Sequence, residues 1–359
     1  MSIPRAIVLL VFALSPSALA SAADCTITLF SQVEDVISNC TDIVVKDLTV
    51  PGGESLELDL QTGSTLTFEG KILFEVSNWA GPLVSIKGSQ LRVQGAAGHV
   101  LDGQGKQYWD GLGGSGSAKP SFFSISYVEN STFSGINILN CPINCVSVVS
   151  SNDVVLDGFT VDVSEGREKG VNTDGFGVTY CVDVVIKNSI VKNQDDCVVV
   201  NQGYNYTFQD LVCEGGHGLS FSVGFGNISI GQNTVQNVTF KDCTVLNSAN
   251  GIHVKTHPNA GQGSITDVLY SNITLQGINN FGISIEQNYP GHGEEPRGNI
   301  LIKNLVMESV TGSMAGSNSI AVEIICGLGG CEDWHWNHVD ITGASNNDSC
   351  NYEPEGYAC

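Results

Sequence analysis

The feature that most constrains this chain is a repeat, in which short β-favouring runs each open with Asn or Asp. The clearest openings are Asn130, Asp153, Asp183, Asn205, Asn237, Asp267 and Asn299. They follow one another at intervals of about 22 to 32 residues, which is the range of solenoid coils. A coil of this length cannot bury its apolar face alone, so successive coils must stack into one continuous core.

The runs between these openings are strands. From Ile43 onward helical periodicity disappears, and alternating runs such as 56–60 and 65–68 are separated by Gly, Asn and Asp. We therefore predict an all-β, single-domain, right-handed parallel β-helix, because crossover connections favour that hand. A β-sandwich is the alternative, but the near-constant spacing of the Asn/Asp-led units argues against it.

The first 23 residues have the pattern of a secretory signal peptide. Arg5 precedes an apolar run, 6–14, and small residues follow up to Ala23. The apolar run is too short for a membrane anchor, and no later segment could span a bilayer. We therefore predict a secreted, extracellular protein in which residues 24–359 form the β-helix. We also expect this protein to be a monomer.

A short helix is predicted at the start of the mature chain. Ser31 followed by Glu34 is a capping-box pattern, with Ser31 as N-cap and Glu34 reaching back to it. The apolar residues of this helix share one face: Val33, Val36 and Ile37. Such a helix would cover the open end of a β stack, whose exposed edge otherwise invites aggregation.

All twelve cysteines follow the leader, which agrees with an oxidising compartment. Local pairs are expected for Cys25 with Cys40, Cys326 with Cys331, and Cys350 with Cys359, and a pair in adjacent coils for Cys197 with Cys213. Buried thiols and further bridges are both open for Cys141, Cys145, Cys181 and Cys243. No paired CxxC with His spacing indicates zinc. Sequons for glycosylation begin at Asn39, Asn130, Asn205, Asn227, Asn237, Asn272 and Asn347.

The formal net charge of −22 excludes nucleic acid as a partner. A polyanionic substrate requires a local cationic patch, or acid in which carboxylates are partly neutralised. Four of the seven histidines lie close together in the sequence, at His217, His253, His257 and His292. This clustering keeps an acidic polysaccharide open as the substrate. A Gly- and Ser-rich loop, 108–120, is expected at the surface.

Polar clusters recur in one frame of the repeat. The runs beginning at Asp174, Asp196, His217, Asn250 and Phe281 can be laid under one another. In this frame the first three residues occupy one equivalent position, and Asp195 comes one place earlier. Because neighbouring rungs of a parallel stack lie roughly 4.8 Å apart, three carboxylates and a histidine should gather in one patch.

Each of these residues also has a structural interpretation. Asn and Asp ladders are common in β-solenoids, Asp before Gly is an ordinary turn, and His217 between glycines suits a turn. The combination favours catalysis, because closely packed carboxylates raise at least one pKa and so provide a proton donor. Glycoside hydrolysis needs this division, with one carboxyl as acid and another activating water or attacking the sugar.

The order and spacing of four motifs resemble the signature of the polygalacturonases (pectinases), glycoside hydrolase family 28. The motifs are Asn172-Thr173-Asp174, Asp195-Asp196, Gly216-His217-Gly218 and Lys255. The resemblance covers essentially the whole mature chain. It implies a hydrolase that cleaves α-1,4-galacturonosyl linkages of polygalacturonan or pectin with inversion. We expect endo action, and exo action stays open as the alternative because it depends on whether loops close the ends of the cleft. No metal or organic cofactor is expected, because paired carboxyl groups suffice.

The resemblance also implies a role for each catalytic residue. Asp195 would be the general acid, Asp174 and Asp196 would activate the water, and His217 would support the acid. The substrate would be contacted by Asn172, His253, Lys255 and Tyr289.

One position departs from the family pattern of Arg-Ile-Lys, because His253 stands where the family has Arg. A histidine supplies one hydrogen bond to a carboxylate, whereas Arg grips it with a permanently charged fork. We therefore expect weaker substrate binding and a more acidic optimum. A non-catalytic pectin-binding protein, and a hydrolase of another pectic polymer such as rhamnogalacturonan or xylogalacturonan, are the alternatives. A pectate lyase also has a β-helix, but its elimination products would absorb in the ultraviolet. A purely structural solenoid explains the repeat but not the aligned acids.

Overall fold

The computed structural model describes residues 25–225, 230–291 and 293–359. The predicted signal peptide, the Asn227 sequon and His292 lie outside the described residues. The helices are α1 Val33–Asn39 and the 3-10 turns Phe30–Gln32, Gly105–Gln107, Gly113–Ser115, Ser164–Gly166 and Ile230–Asn233. The strands are β1 Thr26–Ile27, β2 Asp42–Lys46, β3 Thr49–Val50, β4 Leu56–Asp59, β5 Thr65–Glu69, β6 Lys71–Phe74, β7 Val84–Ser89, β8 Arg92–Gly95, β9 Val100–Asp102, β10 Phe123–Ser134, β11 Asn137–Leu139, β12 Val146–Val149, β13 Asn152–Asp157, β14 Thr160–Asp162, β15 Phe176–Lys187, β16 Ile190–Lys192, β17 Val198–Gln209, β18 Val212–Glu214, β19 Leu219–Val223, β20 Thr234–Lys241, β21 Thr244–Leu246, β22 Asn250–Thr256, β23 Gly263–Ile278, β24 Phe281–Glu286, β25 Ile300–Met314, β26 Ile320–Ile325, β27 Cys331–Glu332, β28 His335–Thr342 and β29 Ser349–Cys350.

Successive coils pair in parallel along the whole described chain, and the fold is the right-handed parallel β-helix that the sequence predicts. One of its faces carries the site, and we call it the floor sheet. It consists of β4, β7, the start of β10, β12, the starts of β15 and β17, β19, β22, β24 and β26. A β-sandwich would require antiparallel pairing between its strands.

The core lies inside the coil. Side chains alternate between inside and outside along each strand, as in β4, where Leu56 and Leu58 are buried and Glu57 and Asp59 are exposed. The buried apolar residues form one cluster that runs from Ile27 to Trp336. Equivalent aromatic residues stack in neighbouring coils, with ring centroids 4.7 Å apart for Phe208 with Phe240 and for Phe240 with Tyr270.

The N-terminal helix is present, but the predicted N-cap is wrong. The helical turn begins earlier, at Phe30, because the side chain of Gln32 accepts hydrogen bonds from the backbone amides of Thr28 and Leu29, both 2.9 Å long. Ser31 and Glu34 therefore do not form the capping box. The predicted apolar face is confirmed: Val33 and Val36 are buried, and Ile37 packs against the core.

Disulfides join all four predicted pairs, Cys25–Cys40, Cys197–Cys213, Cys326–Cys331 and Cys350–Cys359. Cys141 and Cys145 form a fifth bridge, whereas Cys181 and Cys243 are free and buried. The fold therefore resolves the four cysteines that the sequence left open.

The Gly- and Ser-rich loop 108–120 lies at the surface, as expected, but buried residues anchor it at both ends. Tyr108 and Trp109 are buried, and the Lys119 side chain is 1% exposed. Lys119 Nζ donates to Asp110 Oδ2 at 2.8 Å and to the carbonyls of Gly113 and Ser117. These contacts hold the loop in one compact conformation. They also pair the buried ammonium group of Lys119, which would be very unfavourable if it were left unpaired. In the part of the chain that the structure describes, no helix is both long and apolar enough to cross a bilayer.

Candidate active site

The register of the floor sheet brings the predicted residues together. Phe176 pairs with Val198, which pairs with Leu219 in the next coil. Asp174, Asp196 and His217 each lie two residues before these partners, and so they occupy successive coils. The alignment of the repeat is confirmed here, and it continues through the pairing of Leu219 with Ile252.

These residues line an open groove across the outer face of the floor sheet. Its cavity of about 290 Å³ is lined by Asn144, Ser147, Val149, Asn172, Asp174, Gly177, Thr179, Asp195, Asp196, Val199, Asn201, Ser222, Phe225, Lys255 and Tyr289. His217 joins the set because its Nδ1 lies 3.2 Å from Asp195 Oδ1. His253 joins it because its ring packs against the Tyr289 ring, with centroids 6.0 Å apart. All eight predicted catalytic and binding residues therefore belong to one site.

Asp196 lies at the bottom of the groove, where its side chain is 3% exposed. Its Oδ1 accepts a hydrogen bond from Ser220 Oγ at 2.6 Å, and its Oδ2 accepts one from Lys255 Nζ at 2.6 Å. Burial acts to lower the pKa of Lys255, but the charge and hydrogen bond of Asp196 outweigh it and raise that pKa. The ion pair is therefore stable in the free protein.

Asp195 forms a pair with His217. Asp195 Oδ1 lies 3.2 Å from His217 Nδ1, and Oδ2 accepts a hydrogen bond from Asn172 Nδ2 at 3.2 Å. Burial acts to raise the pKa of Asp195, but the hydrogen bond and charge of His217 outweigh it, so this pKa lies below its usual value. Burial likewise acts to lower the pKa of His217, yet Asp195 and Asp196 raise it above 6.5. The pair therefore holds one proton between the two side chains.

Asp174 has the opposite environment. Burial, followed by the negative charges of Asp195 and Asp196, raises its pKa well above 3.8, although Lys255 acts against this shift. The site thus contains carboxyl groups of identical chemistry that titrate in different ranges. This is the separation that acid/base chemistry requires.

A buried amide fixes the turn that carries these carboxylates. Asn193 Nδ2 donates to the backbone carbonyls of Thr173, Asp195 and Asp196, at 2.9, 3.0 and 2.8 Å. Asn193 thereby holds two neighbouring coils at the point where the acids protrude. This residue was not predicted from the sequence, where its only signal is an Asn two places before Asp195 in a turn without glycine.

His253 lies between two partners that the sequence analysis also missed. Asn250 Nδ2 donates to His253 Nδ1 at 3.1 Å, and so His253 Nε2 carries the proton that it donates to Glu286 Oε1 at 2.7 Å. The Tyr289 ring completes this corner, with its centroid 5.5 Å from Lys255 Nζ. The alternation of the floor strands places His253, Lys255 and Glu286 on the outer face.

One cluster has the spacing of a metal site. Asp195, Asp196 and His217 each have a ligand atom within 4.8 Å of the others. Lys255 and His217 already provide positive charge to the two carboxylates. The chemistry that these contacts support directly is proton transfer together with activation of a water, for which no metal is required.

Comparisons with known proteins agree with this geometry. The family model Glycosyl hydrolases family 28 matches residues 40–359. A polygalacturonase from Phaedon cochleariae is 46% identical over 344 residues, which cover 94% of each chain. Endopolygalacturonase I from Stereum purpureum, solved with two galacturonates, has a TM-score of 0.80 at 31% identity and covers 90% of this chain and 96% of its own. An endo-xylogalacturonan hydrolase from Aspergillus tubingensis has the same TM-score at 20% identity, and the match covers 92% of this chain and 100% of its own.

The parallel β-helix, the three carboxyl groups that share its open groove, and these relatives together define a glycosidase. The chain belongs to glycosyl hydrolases family 28, as the resemblance of its four motifs indicated.

Proposed function

We propose that this protein is a secreted endopolygalacturonase, which hydrolyses α-1,4-galacturonosyl linkages with inversion. The observation that carries the proposal is the convergence of Asp174, Asp195 and Asp196 in one open groove. The names of its relatives, polygalacturonase and endopolygalacturonase, support the same substrate. We further propose that residues 24–359 form one monomeric, extracellular catalytic domain after loss of residues 1–23.

The roles follow from the environment of each carboxyl. Asp195 delivers to the leaving oxygen the proton that it shares with His217, which lies 3.2 Å away. Asp174 and Asp196 orient and deprotonate the water on the other face of the sugar, as in inverting hydrolysis. Because the raised pKa of Asp174 delays its ionisation, this group limits activity at acid pH. The His217–Asp195 pair, which must keep its proton, limits activity at alkaline pH.

The binding residues surround this centre. Lys255 is the cation that faces the acids, and it can attract a uronate carboxylate while remaining beside Asp196. Asn172 and Tyr289 lie on opposite sides of the groove, since Asn172 precedes β15 and Tyr289 follows β24. His253, held by Glu286, has a weaker claim as a carboxylate ligand, because its Nε2 proton is already used.

The position of the acids along the groove favours endo action. A second cavity of about 290 Å³ shares Asn144 with the groove and extends it toward the N-terminal coils. On the other side β24 and β26 continue the floor sheet past Lys255. A polymer can therefore extend in both directions from the carboxyl groups.

Product sizing after digestion of polygalacturonate near pH 5 tests the proposal. We expect new reducing ends, oligomers of intermediate length at early times, and no product with the ultraviolet absorbance of elimination. Asp195→Asn should lower the rate by a factor on the order of 10³ or more. Release of monomers alone would contradict endo action, and an ultraviolet-absorbing product would indicate a lyase.

A second candidate is a family member that binds pectin without cleaving it. The hydrogen bond from His253 Nε2 to Glu286 favours this candidate, because it leaves His253 without a free donor for a substrate carboxylate. Binding of polygalacturonate without any release of reducing ends would establish it. A substrate panel that includes xylogalacturonan distinguishes the endopolygalacturonase and the non-catalytic binding protein from a hydrolase of another pectic polymer.

A further inference from the structure

The groove changes character beyond Lys255. In the next coil, the register partner of Lys255 is Glu286, and the partner of Glu286 in the coil after that is Ile325. Glu323 lies two residues before Ile325 on the same outer face, and it is the register partner of Ser284. We call the segment formed by Glu286, Glu323 and Ile325 the acidic end of the groove.

Among the described residues near this end, Lys255 and His253 are already engaged by carboxylates. Lys255 Nζ binds Asp196 Oδ2 at 2.6 Å, and His253 Nε2 binds Glu286 Oε1 at 2.7 Å. Arg297, in the loop after β24, is exposed and donates Nη1 to the carbonyl of Pro258 at 3.3 Å; it keeps its charge, which the exposed Glu294 and Glu295 of the same loop outnumber. Burial, together with the charge of Lys255, lowers the pKa of His257 and so disfavours a positive charge on this ring.

The negative groups at this end repel one another. Burial, followed by the charge of Glu286, raises the pKa of Glu323. The side chain of Glu286 is 16% exposed, and its Oε1 reaches His253. The loop that follows β24 adds Glu294 and Glu295, both exposed. A uronate in this segment would thus bring a further carboxylate to a place that already holds an excess of negative charge.

An ester changes this balance. Neighbouring coils lie roughly 4.8 Å apart, so a substituent over Glu286 is also within reach of Ile325. Methyl esterification removes the charge of the uronate and adds an apolar group. The repulsion by Glu286 then disappears, and Ile325, which is half-buried on the floor, offers the methyl group an apolar contact.

We propose that the acidic end, through Glu286 with its partner His253, selects a methyl-esterified galacturonate residue at the position beyond Lys255. This inference rests on the proposed function, and it makes partly esterified pectin the preferred polymer. Glu286 is then a specificity residue that disfavours the free acid. A family Arg at position 253 would instead favour the charged form.

The test compares Glu286→Gln with Glu308→Gln, a matched change on an exposed part of β25 away from the groove. Glutamine keeps an acceptor for His253 Nε2 and removes only the charge. At pH 6 the free uronate is ionised, and only the ester is uncharged. We expect Glu286→Gln to raise kcat/KM on demethylated polymer roughly three- to tenfold, with a change below about twofold on partly esterified pectin.

Binding separates this inference from the proposed function. In an Asp195→Asn background, calorimetry with free and partly esterified oligogalacturonides should show that Glu286→Gln strengthens binding of the free acid alone. Glu308→Gln should change neither affinity. Equal effects of Glu286→Gln on both ligands, or none on the free acid, would overturn the inference. Absence of hydrolysis by the unmodified protein would instead overturn the proposed function, while the affinity ratio would still decide the inference.

Discussion

At the scale of single residues, identical side chains differ because the repeat places them beside different neighbours. Asp196 accepts hydrogen bonds from Ser220 and Lys255, whereas Asp174 faces the charges of Asp195 and Asp196. One carboxyl is therefore stabilised as an anion, and the other is kept protonated to higher pH. The proton for the leaving group is held elsewhere, by the pair of Asp195 and His217, whose atoms Oδ1 and Nδ1 lie 3.2 Å apart.

Replacing Asp174 should expose a conflict between stability and activity. Its pKa is raised in the folded state, so its stabilising contribution is complete below 3.8 and is lost as the pH rises through the raised value. Asp174→Asn cannot ionise, and we expect it to be more stable than the unmodified protein at pH 7.5 by roughly 1–2 kcal/mol. Thermal melts should show no such gain at pH 3.5, and hydrolysis should be lost. An equal gain at both pH values would contradict the raised pKa.

Removing His217 should move the alkaline limit of activity. The pair with Asp195 holds its proton to a pH above 6.5, because Asp195 and Asp196 favour the charged imidazole. In His217→Asn the acid must hold this proton alone. We expect the alkaline limb of kcat/KM to move to lower pH by about 1 unit or more.

The control for this profile is His338→Asn, an exposed change on β28 outside the groove. It should leave both limbs in place. A His217→Asn profile that keeps its shape and merely falls in height would show that His217 does not govern protonation of the acid.

At the scale of elements, a loop far away in sequence positions the acid. The hydrogen bond between Lys119 and Asp110 stabilises the loop 108–120. The backbone amide of Gly114 in this loop donates to Asn172 Oδ1 at 3.0 Å. Asn172 in turn donates to Asp195. Asn172 has a φ of 57°, a left-handed conformation that Asn tolerates better than most residues. The loop therefore fixes the orientation of an acid some eighty residues further along the chain.

Two adjacent glycines provide a matched test of this loop. Gly113 has a φ of 53°, and a Cβ there would overlap Asn172 Oδ1, whereas a Cβ on Gly114 would meet nothing closer than 3.9 Å. We expect Gly113→Ala to lower kcat on the order of tenfold by displacing Asn172, and Gly114→Ala to change it less than about twofold. Similar kcat values for the two variants, measured at saturating polymer, would contradict positioning by the loop.

The coils could be predicted from sequence, but their corner loops could not. The Asn/Asp-led units fix the register, and with it the places of Asp174, Asp196, His217 and Lys255. Side-chain contacts across a corner loop leave no periodic signal in the sequence. The hydrogen bonds of Lys119 within the loop 108–120 could therefore not be predicted. Glu286 was missed for a related reason, since its importance depends on the direction in which His253 points.

At the scale of the whole molecule, a strongly negative protein is proposed to act on a polyanion. The formal net charge is −22 at pH 7, and Lys255 is the only Lys or Arg among the described residues that line the groove. Long-range repulsion must therefore be overcome by contacts within the groove. Screening by salt acts on the repulsion over distances of about 10 Å, while the buried pair of Lys255 and Asp196 is screened much less.

Salt should accordingly promote binding. We expect KM for polygalacturonate at pH 6 to fall roughly two- to fivefold as ionic strength rises from about 0.01 to 0.15 M. The value of kcat should change little, because the catalytic groups are sheltered. A KM that rises with salt would show that local cationic attraction dominates the encounter.

The central claim is that stacked coils gather Asp174, Asp195 and Asp196 into a site that hydrolyses an α-linkage by a single displacement with water. The most direct measurement follows the anomeric proton of the first product by nuclear magnetic resonance, before mutarotation, during digestion of oligogalacturonides. We expect the β-anomer to appear first and Asp195→Asn to produce neither anomer. Initial appearance of the α-anomer would contradict it.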